Sequence, residues 1–412
     1  MAFSSLMFTV QRLQPELIAP AKPTPYELKY LSDIDDRKGL RFHVPTILFY
    51  RKTDLRMGST CKTDDIVGVM KKALAATLVF YYPFAGRLRE IHGGKLLVEC
   101  TAQGVLFVEA DADVSLQQLG GDFLKPPFPC LEQLLYTPSN SEDILSSPLL
   151  FIQEISRVYF DFKWSHVTRL TCGGFIFGLR YNHTICDGQG IHQFMKALVE
   201  IARGEISPSI LPVWERHLLN ARDPPQVMFA DREYDAIPDH KEKLPSLDDM
   251  LLAAWLWRCR TIAVGYDPKE EVRVVMAVNT RGKFQSPLPT GFYGNAVVYP
   301  VAVSITEKLI QNPLSFALEL VMDAKNEEYI RSTADLMVIK GRPIISTVRT
   351  YFHLYISHTN IIRDKGRLVL VSLPRLDMKK FVFEMNKTAS FQANEPETSK
   401  FQSTSFYRKS AL

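Results

Sequence analysis

Between Glu205 and Asp249 the chain carries six prolines (Pro208, Pro212, Pro224, Pro225, Pro238 and Pro245) among many charged residues. Proline fixes its own φ and has no N–H to donate, so this stretch supports neither a long helix nor a central strand. It reads as a surface crossover that divides the sequence into two halves. We therefore expect an N-terminal domain at residues 1–204, a linker at 205–249 and a C-terminal domain at 250–385. In a chain of 412 residues each half is long enough to bury a core of its own.

Both halves mix helical and strand periodicities. Residues 63–80 predict a helix, with Thr63 as cap, Asp64 and Asp65 at its positive end, and Ile66, Met70, Ala73, Leu74 and Leu78 on one face. Gly93-Gly94 between apolar runs predicts a hairpin, and residues 104–110 another strand. Val167 to His183 reads as a buried strand interrupted at Gly173 and Gly174. A helix follows, with Ile191, Phe194, Met195, Leu198 and Ala202 aligned and Gly204 as its stop. The second half predicts helices at 251–263 and 313–330 and strands at 271–281 and 296–303. Residues 386–412, rich in Ser and Thr and poor in aliphatics, read as a polar, disordered tail. The fold class is mixed α/β.

Charge and cysteine usage exclude several functions. Forty-nine Lys and Arg against 45 Asp and Glu leave a formal charge of +4, too slight and too scattered to attract nucleic acid. The most apolar uncharged run, Ala73 to Gly86, is shorter than the roughly 18 to 20 residues of a membrane span and contains Pro83. Six cysteines stand far apart with no CxxC pair, which suits reduced thiols better than disulfides or a structural zinc. The N-terminal residues match neither a secretory signal nor an Arg-rich transit peptide. The expected location is cytoplasmic and no membrane or nucleic-acid partner is expected.

Between the strand ending at His183 and the next helix lies H-T-I-C-D-G, where loops deliver side chains into clefts. A histidine titrating near pH 6.5 can take a proton from a hydroxyl and return it, and Asp187 can orient the ring or brace the loop. HxxxD arises by chance in about half of chains of this make-up, and the following Gly188 lowers that to roughly a few per cent. A core histidine with an ordinary N-cap aspartate is the competing reading. One histidine and one carboxylate, with no HxxH or HExxH, do not make a metal site. Cys186 has no feature that marks an activated thiol and is read as a small loop residue.

HTICDG resembles the HxxxDG motif of the plant BAHD acyl-CoA-dependent acyltransferases, and further segments match in the same order. VTRLTCGG (Val167 to Gly174) resembles the strand leading to the family's histidine, and YYPFAGRL (Tyr81 to Leu88) its YPLAGRL segment. NTR (Asn279 to Arg281) and YGN (Tyr293 to Asn295) are similar to second-domain motifs near the coenzyme A site. The opening, FTVQRLQPELIAPAKPTPYELKYLSDIDD, resembles the alcohol acyltransferase branch, that of benzyl alcohol benzoyltransferases and methanol anthraniloyltransferases. The resemblance covers most of residues 1–385. It implies two chloramphenicol acetyltransferase-like domains with mixed sheets and flanking helices, and a monomer that uses acyl-CoA as co-substrate with no permanently bound cofactor. It further implies His183 as general base for a small alcohol and Asp187 as a structural brace, paired with Arg281. Asn279 and Arg281 would serve the coenzyme, with Gly188, Tyr293, Gly294 and Asn295 as structural motif residues.

Three departures bear on activity. The family's DFGWG motif is absent, with a few dozen residues missing around His353. A second gap falls near Met250, where LDDM runs directly into LLAAWLWRCRT. Residues 154–166, EISRVYFDFKWSH, read as an insertion. The second domain is therefore expected to be internally truncated, and the alternative reading is a catalytically impaired or inactive family member, a splice form or faulty gene model, with at most ligand-binding capacity. Ser410-Ala411-Leu412 is similar to the peroxisomal S-K-L address, which makes peroxisomes the minor alternative location.

Overall fold

A computed structural model describes residues 8–50, 66–112, 114, 131–138, 143–145, 147–158, 175–228, 247–282, 284–323, 327–342, 352–353, 355–359, 365–369, 371 and 373–392. The chain divides into two compact units, Met1–Asn220 with Leu288–Ala296, and Ala221–Pro287 with Val297–Leu412. The division thus falls inside the proline-rich stretch, after Asn220. A short segment from the second half of the sequence joins the first unit. Its backbone docks there: Val213 forms a parallel bridge with Phe292, and Val213 N donates to Gly291 O at 2.9 Å.

The first unit contains strands β1 (Val10–Arg12), β2 (Glu16–Ile18), β3 (Leu28–Tyr30) and β4 (His43–Tyr50), then helix α1 (Ile66–Phe80). Strands β5 (Arg87–Glu90), β6 (Leu96–Glu99) and β7 (Val105–Ala112), the short helix α2 (Leu131–Leu134), β8 (Leu150–Val158), β9 (Phe175–Asn182) and helix α3 (Gly188–Ala202) follow. Its main sheet is six-stranded in the order β1-β7-β8-β9-β4, with β2 also pairing β7. Seven of eight residues of β9 are buried, because both faces of this central strand are covered. On one face Phe177, Leu179 and Tyr181 join Met70, Leu74 and Leu78 of α1 and Ile191, Phe194 and Leu198 of α3 in one core. On the other, Ile176 packs with Ile155, Ala110 and Leu134. Burying each such side chain contributes roughly 1.5–3 kcal/mol.

The Gly93-Gly94 hairpin forms as expected: β5 and β6 pair antiparallel, and both glycines take positive φ, 78° and 73°. YYPFAGRL is a buried turn leading into β5, and a Cβ on Gly86 would lie 2.4 Å from Glu99 O. The caps expected at 63–65 and the glycines at 173 and 174 lie outside the described residues. The first five residues of the 154–166 segment extend β8, pairing Glu154 with Glu109 and Arg157 with Asp111 across a one-residue register shift. A bulge absorbs one extra residue without breaking the ladder. Residues 159–174 lie outside the description.

The second unit contains α4 (Leu247–Val264), β10 (Glu271–Met276), β11 (Val278–Asn279), β12 (Val297–Val298), β13 (Val301–Ile305), α5 (Thr306–Gln311) and α6 (Leu314–Asp323). It continues with α7 (Glu327–Ile339), β14 (Phe352–His353), β15 (Tyr355–Thr359), β16 (Lys365–Val369) and α8 (Arg375–Gln392). The described sheets are small, β13-β10-β14, β11-β12 and β15-β16. Helices α4 and α8 share a core of Leu256, Cys259, Ala263, Phe381 and Met385. Buried Asp335 on α7 accepts from Arg222 N at 2.6 Å, Arg222 Nε at 2.7 Å and Gln226 N at 3.0 Å, which anchors the chain on both sides of its cis Asp223-Pro224 bond.

Where the sequence predicts a helix at 313–330, helix is described over Leu314–Asp323 and Glu327–Ile339, and residues 324–326 lie outside the described residues. One expectation changes here. Helix α8 reaches Gln392, so residues 386–392 are helical and not part of an irregular tail; residues 393–412 lie outside the described residues.

Candidate active site

The loop between β9 and α3 is held from several sides within the first unit. Asp187 is the N-cap of α3: its Oδ1 accepts from Gly190 N at 2.9 Å, which satisfies an orphan donor of the first turn. Its Oδ2 accepts from Ala296 N at 3.0 Å. The carboxylate thus binds the start of the helix to the end of the Leu288–Ala296 segment. Gly190 lets the two backbones meet, since a Cβ there would lie 2.0 Å from Tyr293 O. At Gly188 a Cβ would meet nothing within 4 Å, so close packing does not demand glycine at that position.

His183 follows β9 directly, and its backbone N–H donates to Phe42 O at 2.9 Å. Its ring is half-buried, with the Phe42 ring edge-on at a centroid distance of 5.7 Å and Tyr181 at 6.1 Å. Burial lowers the imidazole pKa below its ordinary 6.5, and the charge of Arg37 adds to this. Its own backbone carbonyl, the Asp187 charge and the Asn295 side chain oppose the shift without reversing it. The shift favours the neutral ring, which has a lone pair to offer. Nδ1 is buried and makes no directed hydrogen bond among the described residues.

Asn295 and Arg216 complete the frame. Asn295 Nδ2 donates to His183 O at 2.7 Å, and Arg216 Nη2 donates to Ile185 O at 2.8 Å. The Arg216 guanidinium is 2% exposed and lies 4.3 Å from the Trp214 ring centroid and 4.8 Å from that of Tyr293. Gly294 makes room for it, because a Cβ there would sit 1.8 Å from Arg216 Nη1. Tyr293 is buried against Tyr81 and Phe84, and burial pushes its phenol pKa up. Gln193 Nε2 on α3 donates to Tyr81 OH and to Gly291 O, each at 3.0 Å.

The structure thus brings His183, Asp187, Tyr293, Gly294 and Asn295 together in the first unit. Asn279 and Arg281 lie in the second unit, where Asn279 Oδ1 accepts from Arg281 N and Nη1, both at 3.2 Å. Sequence reasoning missed Arg216 and the buried carboxylate of Asp35, which bond at 2.9 Å. Among the described residues no group of three His, Cys, Asp or Glu is placed to hold a metal ion, and no helix is long and apolar enough to cross a membrane.

The model of the Transferase family matches residues 8–247 and 250–379, breaking where the sequence reading placed the gap near Met250. Benzyl alcohol O-benzoyltransferase of Nicotiana tabacum is 54% identical over 381 residues, covering 84% of this chain and 79% of that enzyme. The 13-hydroxylupanine O-tigloyltransferase of Lupinus albus is 45% identical over 452 residues, covering 93% of this chain and 95% of that enzyme. That span exceeds the 412 residues present here, so several dozen matched positions have no counterpart in this chain. The crystal structure of vinorine synthase superposes with a TM-score of 0.58 at 21% identity, covering 84% of this chain and 83% of that one, which supports the same two-domain α/β fold. The family match over most of the length and the close likeness to named enzymes lead to one conclusion: the chain belongs to the BAHD transferase family of acyl-CoA-dependent alcohol O-acyltransferases.

Proposed function

We propose that this protein transfers a benzoyl or related aromatic acyl group from acyl-CoA to the hydroxyl of a small alcohol, with His183 as general base. The observation that carries the reading is a half-buried imidazole, its pKa lowered by burial, on a loop whose carbonyls and following helix are anchored on several sides. The 54% identity to an enzyme named benzyl alcohol O-benzoyltransferase supports the choice of acyl group and acceptor.

In this mechanism His183 Nε2 takes the proton of the acceptor hydroxyl, and the alcohol oxygen attacks the thioester carbonyl. The tetrahedral intermediate collapses, the C–S bond breaks, and the imidazolium returns the proton to the departing thiolate. Asp187 takes no proton: its oxygens receive backbone N–H groups, so it braces the loop. Asn279 and Arg281 supply an amide and a cation suited to the phosphates of the coenzyme.

The test is release of free CoA from benzoyl-CoA by the purified protein across a panel of alcohols, with His183→Ala alongside. Turnover that needs the alcohol and is lost in the variant supports the assignment; turnover unchanged in the variant refutes it. A second reading, a family member with impaired catalysis, is favoured by the absent DFGWG motif and the several dozen missing positions. A folded protein that binds CoA calorimetrically without turnover supports that reading.

A further inference from the structure

Helix α8 buries one side against α4, through Phe381 and Met385 with Met378 packed beside them. Its other side is open. There Leu376 is 71% exposed and Phe383 65% exposed. The two stand seven residues apart, two helical turns, so they lie about 10 Å from each other on one line, within about 20° around the axis.

Single apolar residues at a surface need no explanation. What sets this pair apart is the charge around it. Lys379 and Lys380 stand between Leu376 and Phe383, one on each flank of the line, and Lys387 continues the line one turn beyond Phe383. All four cations of the helix, Arg375, Lys379, Lys380 and Lys387, are exposed, whereas its two acids, Asp377 and Glu384, are half-buried. Lys380 keeps 61% of its side chain exposed even while it pairs with Asp377 at 3.7 Å. The outer side of α8 is thus an apolar crest with cations on both flanks.

That pattern matches the cross-section of an anionic bilayer surface. Apolar side chains on the crest reach past the headgroups, and the long lysine stems leave their ammonium groups level with the lipid phosphates. A bilayer closes around a convex ridge of any shape, whereas an acidic protein would need a groove cut to fit this one. Such adsorption needs no spanning segment, so it is compatible with the lack of any long apolar helix among the described residues.

We propose that the exposed side of α8 docks this protein on an anionic membrane surface, with Leu376 and Phe383 inserted and Arg375, Lys379, Lys380 and Lys387 on the lipid headgroups. The expectation of no membrane partner rested on the lack of a span, which does not bear on a surface contact. The inference is independent of the acyl-transfer reading.

The test is flotation of the purified full-length protein with vesicles of phosphatidylcholine alone and of phosphatidylcholine with about 30% phosphatidylserine. The wild type is expected to float with the anionic vesicles, at a bound-to-free ratio about tenfold or more above that with neutral ones. Raising the salt from about 0.1 to 0.5 M should release it. Phe383→Ser and Lys379→Glu change exposed side chains, so both should melt with the wild type, and each should lower the ratio about tenfold. If Phe383→Ser melts lower, Leu376→Ser takes its place with the same expectation. Absence of flotation, equal binding to the two vesicle types, or binding that survives both substitutions overturns the proposal. Retention on immobilised poly-glutamate without flotation also overturns it, and assigns this surface to an acidic protein. No turnover is read, so failure of acyl transfer and failure of this proposal are separate results.

Discussion

Replacing Gly190 by alanine probes the junction that holds the loop, and Gly188→Ala, two residues away, is its control. At Gly190 the new Cβ would lie 2.0 Å from Tyr293 O and 2.8 Å from Cys186 Cβ. Carbon and oxygen settle near 3.3 Å, so backbone must move by more than an ångström. Overpacking of this kind costs about 1–3 kcal/mol. The movement also stretches the Ala296 N bond to Asp187, a hydrogen bond to a charged group of the kind worth about 1.5–3 kcal/mol. Alanine returns up to about 1 kcal/mol of helix propensity, which leaves a net loss on the order of 2–4 kcal/mol. At Gly188 nothing lies within 4 Å, so propensity acts alone and stability should hold or rise slightly. Thermal unfolding of both variants beside the wild type reads the contrast directly. A Gly190→Ala protein within about 0.5 kcal/mol of wild type, or a larger loss at Gly188, would refute the packing argument.

Three further outcomes follow from the same geometry. Asp187→Ala removes an N-cap and the charged acceptor of the Ala296 N–H, so denaturant titration should show a loss of about 2–4 kcal/mol; a loss under 1 kcal/mol would count against the brace. Gly294→Ala would drive Arg216 off Asp35 and leave the buried carboxylate without its counter-charge, at about 3–5 kcal/mol, and a variant melting with the wild type would contradict it. Burial holds the His183 pKa below 6.5, so the acid limb of kcat/KM should fall below pH 6.5. The unfolded chain takes up this proton at the ordinary value while the folded protein resists it. The stability linked to His183 is therefore present above pH 6.5 and lost as the pH falls through the lowered value. Comparing melting temperatures of wild type and His183→Ala from pH 7 to 4.5 checks the sign, which a gap widening on acidification in the wild type's favour would reverse.

What the sequence made legible was local. The HTICDG loop, the α3 stripe and the Gly93-Gly94 hairpin each announce themselves within a dozen residues, because capping, periodicity and positive φ are short-range effects. Asp35 and Arg216 do not, since 181 residues separate them and nothing beside either names its partner. The one local hint was S-D-I-D, in which Ser32 and Asp35 stand at capping-box spacing. The close approach that demands glycine was not legible for a related reason. Gly188 belongs to the recognisable motif, whereas close approach is demanded at Gly190 by Tyr293, which arrives from a distant segment. The domain boundary shows the same limit: prolines mark where the chain cannot form regular structure, but Arg216 is buried in the first unit by tertiary contacts.

The measurement that bears most directly on the assignment is the rate of CoA release from benzoyl-CoA with benzyl alcohol, for wild type and His183→Ala, each first shown to be folded. General-base catalysis by His183 predicts alcohol-dependent turnover in the wild type and a fall of roughly 100- to 10,000-fold in the variant. A variant that retains turnover within about tenfold, or a folded wild type that binds CoA and releases none from the thioester, would contradict it.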